Sequence, residues 1–483
     1  MKKQLIMDVN RLQTRVALVE DGRLAEYYVE RTGRERLVGN IYKGKVMNVL
    51  PGMDAAFVNI GLDKNAFLYA GDVALNPEDF EFGGRFQADV KSIRDLVRPG
   101  QELMVQVVKE PGGTKGARIT THVTLPGHLM VLVPNMDYVG VSRRIENEEE
   151  RERLRQLVES IRPEGMGIIV RTAAAGAVKE DMAEIDGLLS RWKTLQKAAQ
   201  EKKAPCALLQ DSDLILRSLR DMAGSDVERV VINEQVTYKR IVEMITFAEP
   251  HIAHKISLFE EKRDIFDHFD LETQVDKSFE RKVWLPSGGY LVFDHTEALS
   301  VIDVNTGKYV GENDFSTTIL KNNLEAAAEI ARQIRLRDIG GIIVIDFIDM
   351  MDTDSQLKVV DALKEALSKD RTRSNVVGMT GLGLVEMTRK KMRQRVSAMM
   401  HTACPHCHGS GRVLNAETIA LRVFKEYRKL RMEEPTQAYT LVAHKDVVSF
   451  LAREKLMDGK IELSPADKGS TGEYFFSVVA DEE

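Results

Sequence analysis

The sequence predicts a multidomain α/β protein that carries a small closed β-barrel. Three observations predict it: 483 residues exceed what one hydrophobic core covers, short strand-like runs punctuated by Pro-Gly and Gly-Gly cluster between residues 38 and 125, and strand and helix patterns alternate through the rest. With 43% hydrophobic and 29% charged residues the composition is that of a globular chain. No apolar stretch approaches the length of a membrane span, and Met1-Lys2-Lys3 leads into only a short strand-like run, so the expected compartment is the cytoplasm. Three cysteines exclude a disulfide framework. The formal charge of −6 opposes nucleic acid as a partner only as an average, because residues 389–395 are basic and residues 76–81 acidic. The basic run reads either as a solvated helix face or as a track for phosphates.

The first thirty-odd residues alternate as strands, with Asp21-Gly22 as a hairpin turn. Barrel strands are expected at 41–49, 55–60, 66–68, 102–109 and 117–122. In the second of them Val58 and Ile60 share the core side, which leaves Phe57 beside Asn59 on the outer side, where a ring can stack on a base; a core role for Phe57 and Phe67 is the alternative. An α/β stretch follows, with helices near 147–161 and 178–202 and a strand at 167–171. Trp192 falls in the apolar stripe Ile185, Leu188, Leu189, Leu195 and is read as core. A strand-and-helix unit spans 230–258 and a hairpin spans 289–305.

The second strand of that hairpin, Val301-Ile302-Asp303-Val304-Asn305-Thr306-Gly307, and a later one, Gly341-Ile342-Ile343-Val344-Ile345-Asp346-Phe347, each drive an aspartate out of an apolar run. Residues 315–337, without Gly or Pro, read as a helix joining the two strands in a right-handed crossover. Period 2 places Asp303 and Asn305 on one face, Ile302 and Val304 on the other, and Asp346 opposite Ile343, Ile345 and Phe347. Two carboxylates and an amide at strand ends suit a hard divalent cation, above all Mg²⁺, and with it phosphoryl-transfer chemistry. The competing reading is that each aspartate caps the next turn or helix.

His401-Thr402-Ala403-Cys404-Pro405-His406-Cys407-His408-Gly409-Ser410-Gly411-Arg412 has the shape of a zinc knuckle. Cys404 and Cys407 supply two of the four ligands of a closed Zn²⁺ site, and Cys206 is remote. A second copy of the chain would supply the other two across a two-fold axis, giving one Zn²⁺ per two chains. Completion by His401, His406 or His408 stays open, as does a redox dithiol, although no thioredoxin-like strand-helix context is expected around the pair.

The run Gly39-Asn40-Ile41-Tyr42-Lys43-Gly44-Lys45-Val46 with Ala56-Phe57-Val58-Asn59-Ile60-Gly61 resembles an S1 domain, an RNA-binding OB-fold. Combined in order with the Asp303/Asn305 and Asp346 strands and the Cys-Pro-x-Cys-x-Gly-x-Gly-Arg element, it resembles the ribonuclease E/G family from Met1 to about Arg412. The resemblance implies a split RNase H-like domain (1–38 and 215–278), an S1 domain (39–125), a 5′-sensor region (126–214), a DNase I-like catalytic domain (279–400), a zinc link (401–415) and a small C-terminal domain (416–483). It implies a Mg²⁺-dependent endoribonuclease that cuts single-stranded A/U-rich RNA, prefers a 5′-monophosphate end and leaves a 5′-phosphate and a 3′-hydroxyl. Asp303 and Asp346 would hold the metal, and Asn305 would bond one of them or the scissile phosphate. Phe57, Phe67, Lys109 and Lys115 would contact RNA, and Gly127, Val131, Arg171, Thr172 and Arg373 would grip the 5′-phosphate. Ribosomal RNA precursors and mRNA are the implied substrates, and a homodimer through the zinc link, or a higher oligomer, the implied assembly. The uncharged segment Gly378-Met379-Thr380-Gly381-Leu382-Gly383-Leu384 departs from the ribonuclease E branch and points to a different substrate preference. Three rivals remain: a non-catalytic RNA-binding protein; a co-chaperone, which would need more than one Cys-x-x-Cys-x-Gly-x-Gly copy; and a nuclease centred on Asp8, whose Met7-Asp8-Val9-Asn10 repeats the Asp-Val-Asn of 303–305.

Overall fold

The computed structural model describes residues 2–33, 36–73, 92–111, 115–134, 136–210, 213–224, 226–248, 250–307, 315–391, 395–466 and 472–479. The acidic run 76–81 and residues 392–394 of the basic run lie outside them. The chain divides into two units, Met1–Ser397 and Ala398–Glu483.

Alternating apolar residues at the start of the first unit give the antiparallel meander Lys3–Val9, Gln13–Glu20 and Arg23–Arg31. Asp21 and Gly22 both take positive φ, 49° and 80°, the geometry of a two-residue hairpin whose twist matches its strands. The meander's first strand pairs in parallel with Val227–Ile232, which pairs in turn with Ile256–Leu258. One five-stranded sheet is thus built from segments two hundred residues apart. The helix Leu214–Met222 covers it, capped by Asp213, whose carboxylate accepts from the Leu216 amide at 3.0 Å.

The segment between them closes on itself. Ile41–Leu50, Ala55–Asn59, Ala66–Tyr69, Arg118–Thr120 and Glu102–Lys109 pair in that order, and the last returns to the first. Closure leaves a core of Val46, Val58, Leu68, Val105 and Ile119 and removes the free sheet edges. A strand that periodicity missed, Cys206–Leu209, adds to Ile41–Leu50 from outside. It is short and half-buried, so it carries no alternating pattern to read. Next to the barrel, Leu125–Pro126, Met130–Pro134, Met166–Val170 and Val139–Val141 form a four-stranded sheet packed on the helices Glu148–Glu159 and Glu184–Glu201. Trp192 is buried there with Ile185, Leu188 and Leu195, as the stripe predicts.

The third sheet of the unit is six-stranded, in the order Lys282–Trp284, Tyr290–His295, Leu299–Asn305, Gly341–Asp346, Leu384–Arg389, Ser374–Met379. Its one parallel pair, Leu299–Asn305 with Gly341–Asp346, is joined by the helix Phe315–Leu336, the predicted crossover. That helix and Thr353–Ser368 pack on the face presenting Ile302, Val304, Ile343 and Ile345. The second unit holds the helices Ala416–Glu433 and Lys445–Arg453 on a three-stranded sheet of Ile461–Ala466, Tyr439–His444 and Tyr474–Val478.

A buried ion network ties the first sheet of the unit to the six-stranded one. Arg335, at the end of the crossover helix and 6% exposed, donates to Glu20 at 2.9 Å and to Glu26 at 2.8 Å. Tyr28 adds its hydroxyl to Glu26 and Arg371 lies 3.7 Å from it. Burial pushes the Glu26 carboxyl up, but the Arg371 and Arg335 guanidiniums outweigh it and hold the carboxyl at about 2. Removing one member strands charge in the interior, so Arg335→Ala is expected to cost about 3–5 kcal/mol, read as a lower urea midpoint. Because the folded value lies below the unfolded one of roughly 4.3, the Glu26 contribution is present above that value and is lost as pH falls toward about 2. Wild type should lose this stability in acid, whereas Arg335→Ala should show a weakened acid limb.

Candidate active site

Strand register sets the geometry of the two aspartates. Leu299 faces Ile342 and each following pair advances one rung, so Asp303 stands directly opposite Asp346. Both are exposed on the face away from the helices, while Ile302 and Ile345 beside them are fully buried. Asn305 lies on the same face and donates its amide to Asp303 Oδ2 at 2.8 Å. Neither carboxylate accepts a backbone N–H among the described residues. The cap of the next helix is Asp352, which accepts from Ser355 at 2.7 Å, so the capping reading of Asp346 does not hold. Desolvation, then the charges of Asp303 and Asp349, push the Asp346 carboxyl above the usual range. Like charges crowded on one rung are what a hard cation relieves. A carboxylate pair of this kind suits a divalent cation that keeps its other positions for water and phosphate oxygens.

Sequence reasoning missed two residues here. Asp349 follows Asp346 by one turn of loop, outside any periodic pattern. Asn323, fully buried in the crossover helix, donates to the Ile348 carbonyl at 2.8 Å and accepts from its amide at 3.1 Å, and so holds the loop that leaves Asp346. The signal was an Asn-Asn pair on the apolar side of a helix. At Asp8, by contrast, both oxygens are occupied: Arg15 donates to one at 2.8 Å and Asn233 to the other at 2.6 Å, and the residue is 3% exposed. Asp8 ties the first strand to the segment after Val227–Ile232, with one donor on each oxygen in a buried position.

On the barrel, Phe57 and Phe67 are register partners on the outer side, half-buried, with ring centroids 5.5 Å apart at 81°. The core alternative is excluded for both. Tyr69, not singled out from sequence, extends the row at 4.4 Å from Phe67 and carries Arg118 over its ring at 4.9 Å. Asp72 fixes Arg118 with a bidentate pair at 2.7 and 3.1 Å. Lys109 is exposed opposite Arg118, and Lys115 is exposed at the start of the segment leading to it.

Arg171, Thr172, Gly127 and Val131 come together on the four-stranded sheet. Val131 pairs with Pro126 and Ile169, Arg171 donates to the Gly127 carbonyl at 2.6 Å, and the Thr172 and Ser142 hydroxyls are 2.9 Å apart. The other Arg171 nitrogen donates to Asp221 at 2.9 Å. Burial raises the Asp221 carboxyl, and Arg220 followed by Arg171 brings it below the usual range. The Gly127 backbone meets the Glu184 carboxylate, which accepts from the His128 and Leu129 amides; a Cβ at Gly127 would lie 2.3 Å from a Glu184 oxygen. Arg373 is exposed in the loop directly before Ser374–Met379, and that loop joins this region through Arg144, which donates to the Asp370 carbonyl at 2.8 Å.

In the second unit, Cys404 and Cys407 sit in a turn in which the His408 amide bonds the Cys404 carbonyl at 2.8 Å. The Gly411 and Gly409 amides turn toward the Cys407 sulfur and hold its thiol below the usual range, with Cys404 adding to the effect. Positive φ at Gly409 and Gly411, 88° and 68°, makes that approach possible.

A closed barrel with a row of outward rings and a rung of paired carboxylates are the parts of a hydrolase that works on a polynucleotide. A profile of the ribonuclease E/G family matches residues 124–392, and a second, for the thioredoxin-like domain of RNase E/G, matches residues 403–458. Ribonuclease G of Salmonella typhimurium (strain SL1344) is 43% identical over 458 residues, spanning 94% of this chain and 93% of its own. For ribonuclease G of Escherichia coli (strain K12) the identity is 42% over 456 residues, with the same coverage, and for ribonuclease E of that strain it is 37% over 460 residues, 43% of the relative's length. The chain belongs to the ribonuclease E/G family and is an endoribonuclease. The second profile corrects one expectation: a thioredoxin-like α/β domain does adjoin the cysteine pair. The pair precedes its first helix in an irregular turn instead of sitting at a helix N-terminus.

Proposed function

We propose that this endoribonuclease is Mg²⁺-dependent and cuts single-stranded, A/U-rich RNA, with preference for a 5′-monophosphate end, leaving a 5′-phosphate and a 3′-hydroxyl. Asp303 opposite Asp346, with Asn305 steadying the first, is the observation that carries the reading. These carboxylates would hold the cation, which when bound activates water and neutralises charge developing on the phosphorus. Asn305 keeps the Asp303 oxygens oriented, and Asn323 keeps the loop after Asp346 in place. Phe57, Phe67 and Tyr69 would stack successive bases while Lys109, Lys115 and Arg118 meet phosphates. Segments 1–38 with 215–278, 39–125, 126–214 and 279–400 are assigned the RNase H-like, S1, 5′-sensor and DNase I-like roles. Ribosomal RNA precursors and mRNA in the cytoplasm are the proposed substrates.

Asp303→Asn or Asp346→Asn should cut Mg²⁺-dependent cleavage of 5′-labelled RNA by about 10²-fold or more with RNA binding intact. Asp8→Asn should lower stability and leave the rate per folded molecule unchanged. Normal cleavage by Asp303→Asn would sink the metal assignment.

Arg171, Thr172 and Arg373 with Gly127 and Val131 form the proposed 5′ pocket, in which a terminal phosphate displaces Asp221 from the Arg171 fork. Arg171→Ala should therefore slow 5′-monophosphorylated RNA and spare 5′-hydroxyl RNA; equal slowing of both would refute the sensor role.

Cys404 and Cys407 are proposed to share one Zn²⁺ with the same pair of a second chain, forming a homodimer. Metal analysis with light scattering should find one Zn²⁺ per two chains, and Cys404→Ser with Cys407→Ser should release the metal and shift the mass toward monomer. One Zn²⁺ per chain would instead make His401, His406 or His408 the completing ligands.

A further inference from the structure

A pocket with an unbalanced positive charge lies away from the carboxylate rung. It is lined by Arg281, Phe293, Asp294, His295, Arg337 and Arg395, among others. His295 pairs with Ser300, three residues or about 10 Å of strand before Asp303, and Ser300 is fully buried on the side opposite the aspartates.

The charges do not cancel. Arg281 is closed by Asp294 through bonds of 2.6 and 2.7 Å. Arg337 lies 4.4 Å over the Phe293 ring and donates to the Gln333 side chain at 2.6 Å and the Glu280 carbonyl at 2.8 Å, but to no carboxylate. Two carboxylates act on Arg337 from nearby: Glu329, which is engaged by Arg332 and Arg23, and Glu280, which is exposed. Arg395 has a single hydrogen bond among the described residues, 3.2 Å to the Ser300 hydroxyl. One buried N–H on each of Arg337 and Arg395, at Nη2 and Nε, has no partner among the described residues. The Ser300 hydroxyl accepts from Arg395 and is hydrogen-bonded to His295 Nδ1 at 3.0 Å. The ring is neutral at pH 7, because desolvation and then the Arg395 and Arg337 charges hold it at about 4. Two guanidiniums without a bonded carboxylate among the described residues remain, with the exposed Glu280 as the one carboxylate near Arg337 that no guanidinium engages.

We propose that this pocket is a binding site for a phosphate group, separate from both the carboxylate rung and the 5′ pocket. Its two guanidiniums complement a phosphate anion, and planar guanidiniums grip phosphate oxygens in forked geometry. The phosphate is supplied either by a free phosphate compound or by RNA lying across the protein. A small turn of the Arg337 and Arg395 guanidiniums presents their unpartnered N–H groups to it.

Equilibrium dialysis of the full chain carrying Arg171→Ala, which silences the 5′ pocket, tests this with radiolabelled inorganic phosphate and no divalent cation. One phosphate per chain is expected, weakened about tenfold or more by adding Arg395→Gln or Arg337→Gln and only slightly by Arg395→Lys. Absence of bound phosphate, or binding indifferent to both glutamine substitutions, overturns the proposal; since Arg395 makes one bond, its variant serves if the Arg337 variant does not fold. The salt dependence of single-stranded RNA binding then separates the sources. A slope reduced by about 0.7 in Arg395→Gln, with competition from inorganic phosphate, identifies RNA as the donor, and an unchanged slope alongside lost phosphate binding identifies a free phosphate compound.

Discussion

Two carboxylates held on one rung of a parallel strand pair are the constraint around which the catalytic region is organised. A parallel pair needs a crossover, and the 22-residue helix Phe315–Leu336 supplies it while burying the apolar sides of both strands. The same register that packs Ile302 against Ile345 on one face puts Asp303 against Asp346 on the other. Repulsion between them is therefore built in by hydrophobic packing and cannot be relaxed by a slip, because a one-residue shift of either strand would bury that strand's charge. Raising the Asp346 carboxyl is the molecule's response without a counter-charge, and a divalent cation is the chemical one.

The crossover helix has a second duty at its far end. Arg335 reaches into the first sheet and bonds Glu20 and Glu26 of its N-terminal meander, so one buried guanidinium links two stretches of sequence about three hundred residues apart. Ion pairs of this kind cost desolvation and specify geometry more than they add stability. Here the specified geometry is the angle between the sheet that carries the aspartates and the sheet that anchors Asp8. That division of labour explains two similar Asp-Val-Asn runs with different fates: Asp303 is exposed with one neighbour donating to it, Asp8 is buried with both oxygens filled.

Where local periodicity governed the outcome, the sequence was readable. Barrel strands, the crossover and the face of each aspartate follow from patterns of two and of 3.6, and the structure departs from the expected bounds by a residue or two. What escaped depends on tertiary neighbours. Tyr69 looks like any strand-end tyrosine until Phe67 and Arg118 flank it, and Cys206–Leu209 becomes a strand only by pairing with Ile41–Leu50. Arg171 is an unremarkable strand-end charge in the sequence, and its role rests on family resemblance. The unpaired guanidiniums of Arg337 and Arg395 are legible only once Asp294 is seen to be taken by Arg281.

The proposed 5′ pocket illustrates how a binding site could be kept folded before its ligand arrives. The Arg171 fork is occupied by Asp221 and the Gly127 carbonyl, and the His128 and Leu129 amides by Glu184. Carboxylates thus sit on the donors that an anionic terminus would seek, which prevents the loss that unpaired buried donors impose. In the proposed pocket a phosphate would gain from Arg171 only the difference between its own bonds and those of Asp221, so affinity there would be moderate by construction and discrimination would fall to shape and charge. On that reading a terminal dianion that also reaches Thr172 and Arg373 would outcompete a single carboxylate. A neutral 5′-hydroxyl would not, and would leave Asp221 in place.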